Sequence, residues 1–87
     1  MSSILTSRKE GELLLVRLRA ESRTLEDVLE ALAALPFPVN PDLCHNGLYS
    51  VVEFPAYEHR LEEVYAALQP FDLSVVTLRM MDAIRAQ

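Results

Sequence analysis

Apolar residues recur along the chain with two spacings, one typical of strands and one typical of helices. Residues 13–19 begin as a continuous apolar run and end in alternation, which predicts a central strand. From residue 25 to residue 35 apolar positions recur every three or four residues, which predicts an amphipathic helix that ends at Pro36. The same succession returns in the second half of the chain.

An internal repeat relates the two halves. Residues 25–32 (LEDVLEAL) recur 36 positions later as residues 61–68 (LEEVYAAL), and the same offset places Val16 on Val52. Two copies of a strand–helix unit are what a pseudo-symmetric βαββαβ sandwich requires.

Two further strands are predicted in the second half. Residues 48–54 form a strand that stops at Pro55, and residues 73–79 form the last strand. The Asn46-Gly47 pair predicts a tight hairpin turn before the first of them, because both residue types tolerate a positive φ.

Residues 37–44 are the ambiguous segment. Phe37, Val39 and Leu43 suit a strand, but the two prolines of this segment cannot donate ladder hydrogen bonds. A strand here is therefore confined to an edge of the sheet.

These elements predict an α+β fold, a ferredoxin-like βαββαβ sandwich with a four-stranded antiparallel sheet and two helices on one face. Right-handed crossovers place the first and third strands at the centre, where we expect parallel neighbours, and the other two at the edges. Residues 1–10 are predicted to be a flexible N-terminal segment and residues 11–87 the ferredoxin-like domain, with a short helical tail after residue 79.

Composition and charge restrict the function classes. The 87 residues are half hydrophobic and suit one packed domain. A formal net charge of −5 disfavours nucleic-acid partners. One cysteine forms no internal disulfide, and the chain shows neither an apolar leader nor an apolar stretch of about 18 residues. We expect a cytoplasmic protein with no membrane partner.

Alternation within the strands predicts which side chains face the helices. The set assigned to the helices is apolar and comprises Leu14, Val16, Leu18, Val52, Phe54, Val76 and Leu78. The set assigned to the open face comprises Leu13, Leu15, Arg17, Arg19, Tyr49, Val51, Glu53, Val75, Thr77 and Arg79.

The apolar part of this open face is the predicted interface. Its members are Leu13, Leu15, Tyr49, Val51 and Val75. A contiguous apolar patch of this kind usually marks an interaction site. Three occupants stay open: the C-terminal tail through Met80, Met81 and Ile84, a second copy of the chain, or a small ligand. We predict a homodimer.

The charged part of the open face is the candidate ligand site. We expect Arg17, Arg19 and Arg79 to converge and to bind a carboxylate or phosphate, with Tyr49 and Glu53 beside them. Alternatively, Glu53 neutralises the cluster by pairing with Arg17 across the central strands.

No catalytic residues, metal site or cofactor site are predicted. Cys44 and His45 are adjacent, so in an extended segment they point to opposite faces and do not form a nucleophile–base pair. Cysteines at C-x-x-C spacing and glycine-rich phosphate motifs do not occur.

The order of elements, with residues 48–54 (LYSVVEF) leading into residues 61–68, resembles the small ACT-like ferredoxin-fold proteins, including the YbeD-like group of short bacterial proteins. The resemblance covers residues 12–79 and implies a regulatory or binding module, often dimeric. ACT domains typically carry a glycine at the first strand-to-helix turn, whereas residues 20–23 contain none, so no site residue is carried over.

We therefore expect a non-catalytic regulatory or binding module that is homodimeric and binds a small anionic metabolite or a partner protein. Two alternatives remain. One is a small enzyme of the dimeric α+β-barrel type, in which Tyr49 or Glu53 would point into a shared pocket. The other is a structural adaptor in a larger assembly.

Overall fold

The computed structural model describes residues 11–80. Its elements in chain order are β1 (Leu13–Glu21), α1 (Leu25–Ala33), β2 (Asp42–Asn46), β3 (Tyr49–Tyr57), a 3-10 turn (Glu58–Arg60), α2 (Leu61–Leu68) and β4 (Ser74–Arg79). The strands form one sheet in the order β2-β3-β1-β4, and every pair of neighbours is antiparallel. This confirms the ferredoxin-like fold. The expectations for residues 1–10 and for Met81 and Ile84 lie outside the described residues.

The central pair, β1 and β3, is antiparallel, so the expected parallel pairing is wrong. The crossover through α1 returns β2 in the direction of β1, and the β2–β3 hairpin then reverses the chain. A strand that is antiparallel to β2 is therefore antiparallel to β1 as well.

The internal repeat is a pseudo-two-fold symmetry of this sheet. The offset of 36 residues relates Arg17 to Glu53, and the same two residues lie directly opposite each other in the β1–β3 ladder. The axis that relates the two halves therefore passes between them, perpendicular to the sheet.

Both helices pack on one face of the sheet and bury the core there. The large side chains that the strands contribute to this core are 0–1% exposed and belong to Val16, Leu18, Val52 and Phe54. Val28 and Leu32 of α1 and Val64 and Leu68 of α2 cover them. The helix-facing sets predicted for β1 and β3 are thus confirmed.

The face assignment of β4 was wrong by one residue. Val75 lies opposite Leu18 in the ladder with β1 and packs against the core, so it faces the helices. Alternation places Thr77 and Arg79 on the same side. The open face instead receives Ser74, Val76 and Leu78. The more apolar of the two alternating sets, which contains Val76 and Leu78, lies on the open face, so hydrophobic alternation indicates the wrong face and only the ladder with β1 determines the right one.

The edge strand β2 starts later than predicted, at Asp42. Both prolines of the segment precede it, and Phe37 and Val39 pack against the core from the connecting loop. The edge position of β2 is confirmed, but the prolines lie before the strand and not within it.

Strand β3 continues through Pro55 to Tyr57, beyond its predicted end. Its ladder with β2 extends only to the Asp42–Glu53 pair, so at Pro55 the strand is bordered by β1 alone. This stretch is locally an edge, where a residue without an N–H is tolerated.

The predicted β2–β3 hairpin forms, but its two loop residues are Gly47 and Leu48 and not Asn46 and Gly47, because Asn46 pairs with Tyr49 as the last residue of β2. Gly47 has a φ of +66°, and glycine with positive φ at the first loop position is the signature of a type II′ turn. Leu48 at the tip is 89% exposed.

Candidate interface on the open sheet face

The open face consists of rows of side chains that run across the strands, because residues paired in a ladder project to the same face. The central row is Asp42, Glu53, Arg17 and Val76. Towards the hairpin lie two polar rows, Cys44, Val51, Arg19 and Ser74, and then Asn46, Tyr49 and Glu21. We call these two rows the hairpin end. Towards the opposite side lie two apolar rows, Pro55, Leu15 and Leu78, and then Tyr57 and Leu13. We call these the apolar end.

The apolar end leaves large hydrophobic side chains accessible to solvent. Leu13 is 37% exposed and Tyr57 42%, and Val76 in the adjoining central row is 48% exposed. Leu15 and Leu78 are half-buried by their neighbours. Within residues 11–80 both helices lie on the other side of the sheet and cover none of these side chains.

An ion pair lies at the centre of the open face, as predicted. Arg17 Nε donates to Glu53 Oε2 at 2.5 Å, and the side chains are 46% and 31% exposed. The two charges neutralise each other across the central strands.

The hairpin end is organised around a stacked arginine. The Arg19 guanidinium lies 4.5 Å from the centroid of the Tyr49 ring. Asn46 Nδ2 donates to the Tyr49 hydroxyl at 2.8 Å. These contacts fix the ring of the one aromatic residue that the sequence predicted on this face.

The expected convergence of three arginines does not occur. Arg17 and Arg19 share the open face, but Arg79 has the register of the helix face and forms an ion pair with Glu12 at 3.0 Å. Val75, predicted as an interface residue, likewise leaves the open face and packs on the core. Both departures follow from the one-residue error in β4.

The predicted interface is also divided in two. Tyr49 and Val51 lie on the open face as predicted, but at the hairpin end, where the central row separates them from Leu13 and Leu15.

A cleft of about 540 Å³ lies beside the hairpin end, between the hairpin tip, the β1–α1 turn and the α2–β4 loop. The charged residues of its lining are Arg19, Glu21 and Asp72. With two carboxylates and one guanidinium, this lining does not favour an anionic ligand.

A second groove, of about 330 Å³, adjoins the apolar end. Leu13, Pro55 and Tyr57 belong both to its lining and to the open face. Its other side is formed by the Arg60 guanidinium, which lies 5.0 Å from the Phe37 ring centroid. The groove extends the apolar end around the edge of the sheet.

Cys44 and His45 point to opposite faces, as their adjacency predicted. Cys44 is exposed and lies opposite Val51 on the open face. His45 lies on the helix side, where its Nδ1 is 2.7 Å from the hydroxyl of the buried Ser50. Within residues 11–80, no three His, Cys, Asp or Glu side chains are grouped so as to hold a metal ion. The helices of this part of the chain are too short or too polar to cross a membrane.

Four of the open-face residues that the sequence did not predict lie in the apolar end or beside it: Val76, Leu78, Pro55 and Tyr57. For the last two a signal existed, since alternation from Glu53 continues through Pro55 to Tyr57. For the β4 residues the register with β1 is required, and strand alternation alone does not supply it.

Comparison of the chain with protein-family models, curated proteins and solved structures gives no match. The resemblance to ACT-like proteins therefore stays a prediction.

Proposed function

We propose that this chain is a non-catalytic binding module that acts as a homodimer through its open sheet face. One observation carries the proposal: the apolar end is a contiguous hydrophobic surface on a face that no element within residues 11–80 covers. Patches of this kind on a small domain mark interaction sites.

The polar groups of the same face support binding of a protein surface over binding of a small anion. Arg17 pairs with Glu53, and Arg19 stacks on Tyr49. Because both arginines already make these contacts within one molecule, association gains most of its free energy from burial of the apolar end. Burial of apolar surface contributes about 25 cal/mol per Å².

The test is the molecular mass in solution. Light scattering over a range of micromolar concentrations is expected to give a mass that rises to twice the 9.8 kDa of one chain. Leu15 lies between Pro55 and Leu78 in the apolar end. The substitution Leu15→Asp would desolvate a carboxylate in the interface, so we expect this variant to stay at the mass of one chain.

Leu48→Asp is the matched control. Leu48 projects from the hairpin tip, so this substitution makes the same chemical change at a position outside the open face. Val76→Asp serves as a second interface variant in case Leu15→Asp unfolds, which circular dichroism would detect. A wild-type mass of one chain at every concentration overturns the proposal. So does a dimer that persists in both folded interface variants.

A further inference from the structure

From the row pattern of the open face, and on the basis of the proposed homodimer, we infer how the second copy is seated. The two sheets pack face to face about a two-fold axis that runs parallel to the strands and lies over the gap between β1 and β3. In this arrangement β1 of each copy lies over β3 of the other, β2 lies over β4, and every row faces its own equivalent.

Charge complementarity is the first argument. A rotation about this axis exchanges the positions of β1 and β3, so Arg17 of one copy lies over Glu53 of the other. The central ion pair then meets a second, inverted pair, and each charge has an opposite charge both beside it and above it. An axis perpendicular to the strands would instead stack Arg17 on Arg17, and like charges at close range are repulsive.

The distribution of apolar residues is the second argument. Because rows face their equivalents, the apolar end of one copy covers the apolar end of the other, so that Leu13 lies over Tyr57 and Leu15 over Pro55. The perpendicular axis would lay Leu15 over Arg19 and Leu13 over Glu21 at the hairpin end. That would bury hydrophobic surface against charge and leave the charge without water.

The available area is the third argument. The four strands comprise nine, five, nine and six residues. At the usual strand spacing and rise they cover about 500 Å² per copy, or roughly 1,000 Å² for the pair. This is at the lower limit for a specific interface, so we expect a dimer that dissociates on dilution. Aligned packing of two sheets is also a common way for antiparallel faces to meet.

Site-directed cross-linking tests the arrangement. Cys44 lies on β2 and Ser74 on β4, at opposite edges of the same row. Since β2 lies over β4, Cys44 of one copy faces Ser74 of the other across about 10 Å, the usual separation of packed sheets. A bismaleimide of about that reach is therefore expected to link two copies of Ser74→Cys efficiently, twice per dimer.

Two single-cysteine proteins are the matched controls. In the wild type only Cys44 is present, and in Cys44→Ser/Ser74→Cys only the introduced thiol is present. In each, the two thiols of a dimer lie on opposite edges, about 14 Å apart laterally in addition to the sheet separation, so little linkage is expected.

The outcomes separate this inference from the proposed function. A dimeric mass together with no linkage in Ser74→Cys, or with equal linkage in a single-cysteine control, overturns the arrangement and leaves the homodimer standing. A monomeric mass at all concentrations overturns both.

Discussion

The two faces of strands β1 and β3 carry alternate residues of the same segments, yet they differ sharply in burial. On the helix face Val16, Val52 and Phe54 are 0% exposed. On the open face Leu13 is 37% exposed and Tyr57 42%. Hydrophobic residues of the same strand are thus either buried or accessible to solvent, depending on which of the two faces their position in the strand gives them. The helix face accounts for folding, and the open face has apolar surface left over for association.

The two faces also differ in the number of polar side chains that they carry and in how these are paired. The helix face of these strands contains one buried polar side chain, that of Ser50, which is hydrogen-bonded to His45. On the open face, charged and aromatic groups pair laterally, as Arg17 does with Glu53 and Arg19 with Tyr49. Substitutions on the two faces should therefore change different quantities: the free energy of unfolding for one, and the association constant for the other.

The largest effect is expected for Phe54→Ala, which removes the ring of a fully buried core residue. Loss of buried surface and the resulting cavity should lower the free energy of unfolding by about 3–5 kcal/mol. Urea unfolding followed by circular dichroism, at a concentration where the chain is monomeric, measures this. Val52→Ala is a smaller truncation of the same core if the first variant does not fold.

Tyr57→Ala provides the comparison from the open face. Tyr57 is 42% exposed, so removal of its ring should lower the free energy of unfolding of the monomer by less than about 1 kcal/mol while weakening the proposed dimer. If Phe54→Ala and Tyr57→Ala lower the free energy of unfolding of the monomer equally, the idea that the helix face stabilises the fold and the open face serves association is wrong.

The helix face could be predicted from the sequence because two signals agree there. The helical stripes contain Val28 and Leu32 in one half and Val64 and Leu68 in the other, and the 36-residue repeat aligns the strands between them. Periodicity and repetition together determine the element order and the core sets of β1 and β3.

The open face could be predicted only in part, since its composition depends on register across strands. The pairing of Arg17 with Glu53 was predictable because both residues occupy equivalent repeat positions. In β4, however, Val75 and Val76 are adjacent valines, and only the ladder with β1 decides which of them faces the helices. The predicted face assignment of β4 was wrong by one residue. This exchanged the two predicted faces of the whole strand and placed Arg79 on the open face.

A mixing experiment sharpens the comparison on the association side. The Arg17→Glu variant carries two carboxylates at the centre of the open face, and Glu53→Arg carries two guanidinium groups. Each should dimerise more weakly with itself, whereas a mixture should form heterodimers at least about tenfold more tightly than either variant alone. Native mass spectrometry resolves the three species by mass.

The double variant Arg17→Gln/Glu53→Gln is the control, because it keeps the surrounding apolar contacts and removes both charges. It should dimerise without preferring either charged variant. If the two charged variants self-associate as well as they associate with each other, the central row does not lie in the interface.

The smallest effect is expected for Arg19→Ala, which removes the guanidinium stacked 4.5 Å from the centroid of the Tyr49 ring. A cation–π contact at an exposed site contributes about 0.5–1 kcal/mol, and the loss should appear in the unfolding of a monomeric Leu15→Asp background. Arg23→Ala is the matched control, since the Arg23 side chain is 83% exposed and its ion pair with Glu21 is 3.8 Å long. A double-mutant cycle with Tyr49→Leu isolates the contact: a coupling energy near zero would mean that Arg19 and Tyr49 are neighbours on the open face without stabilising each other.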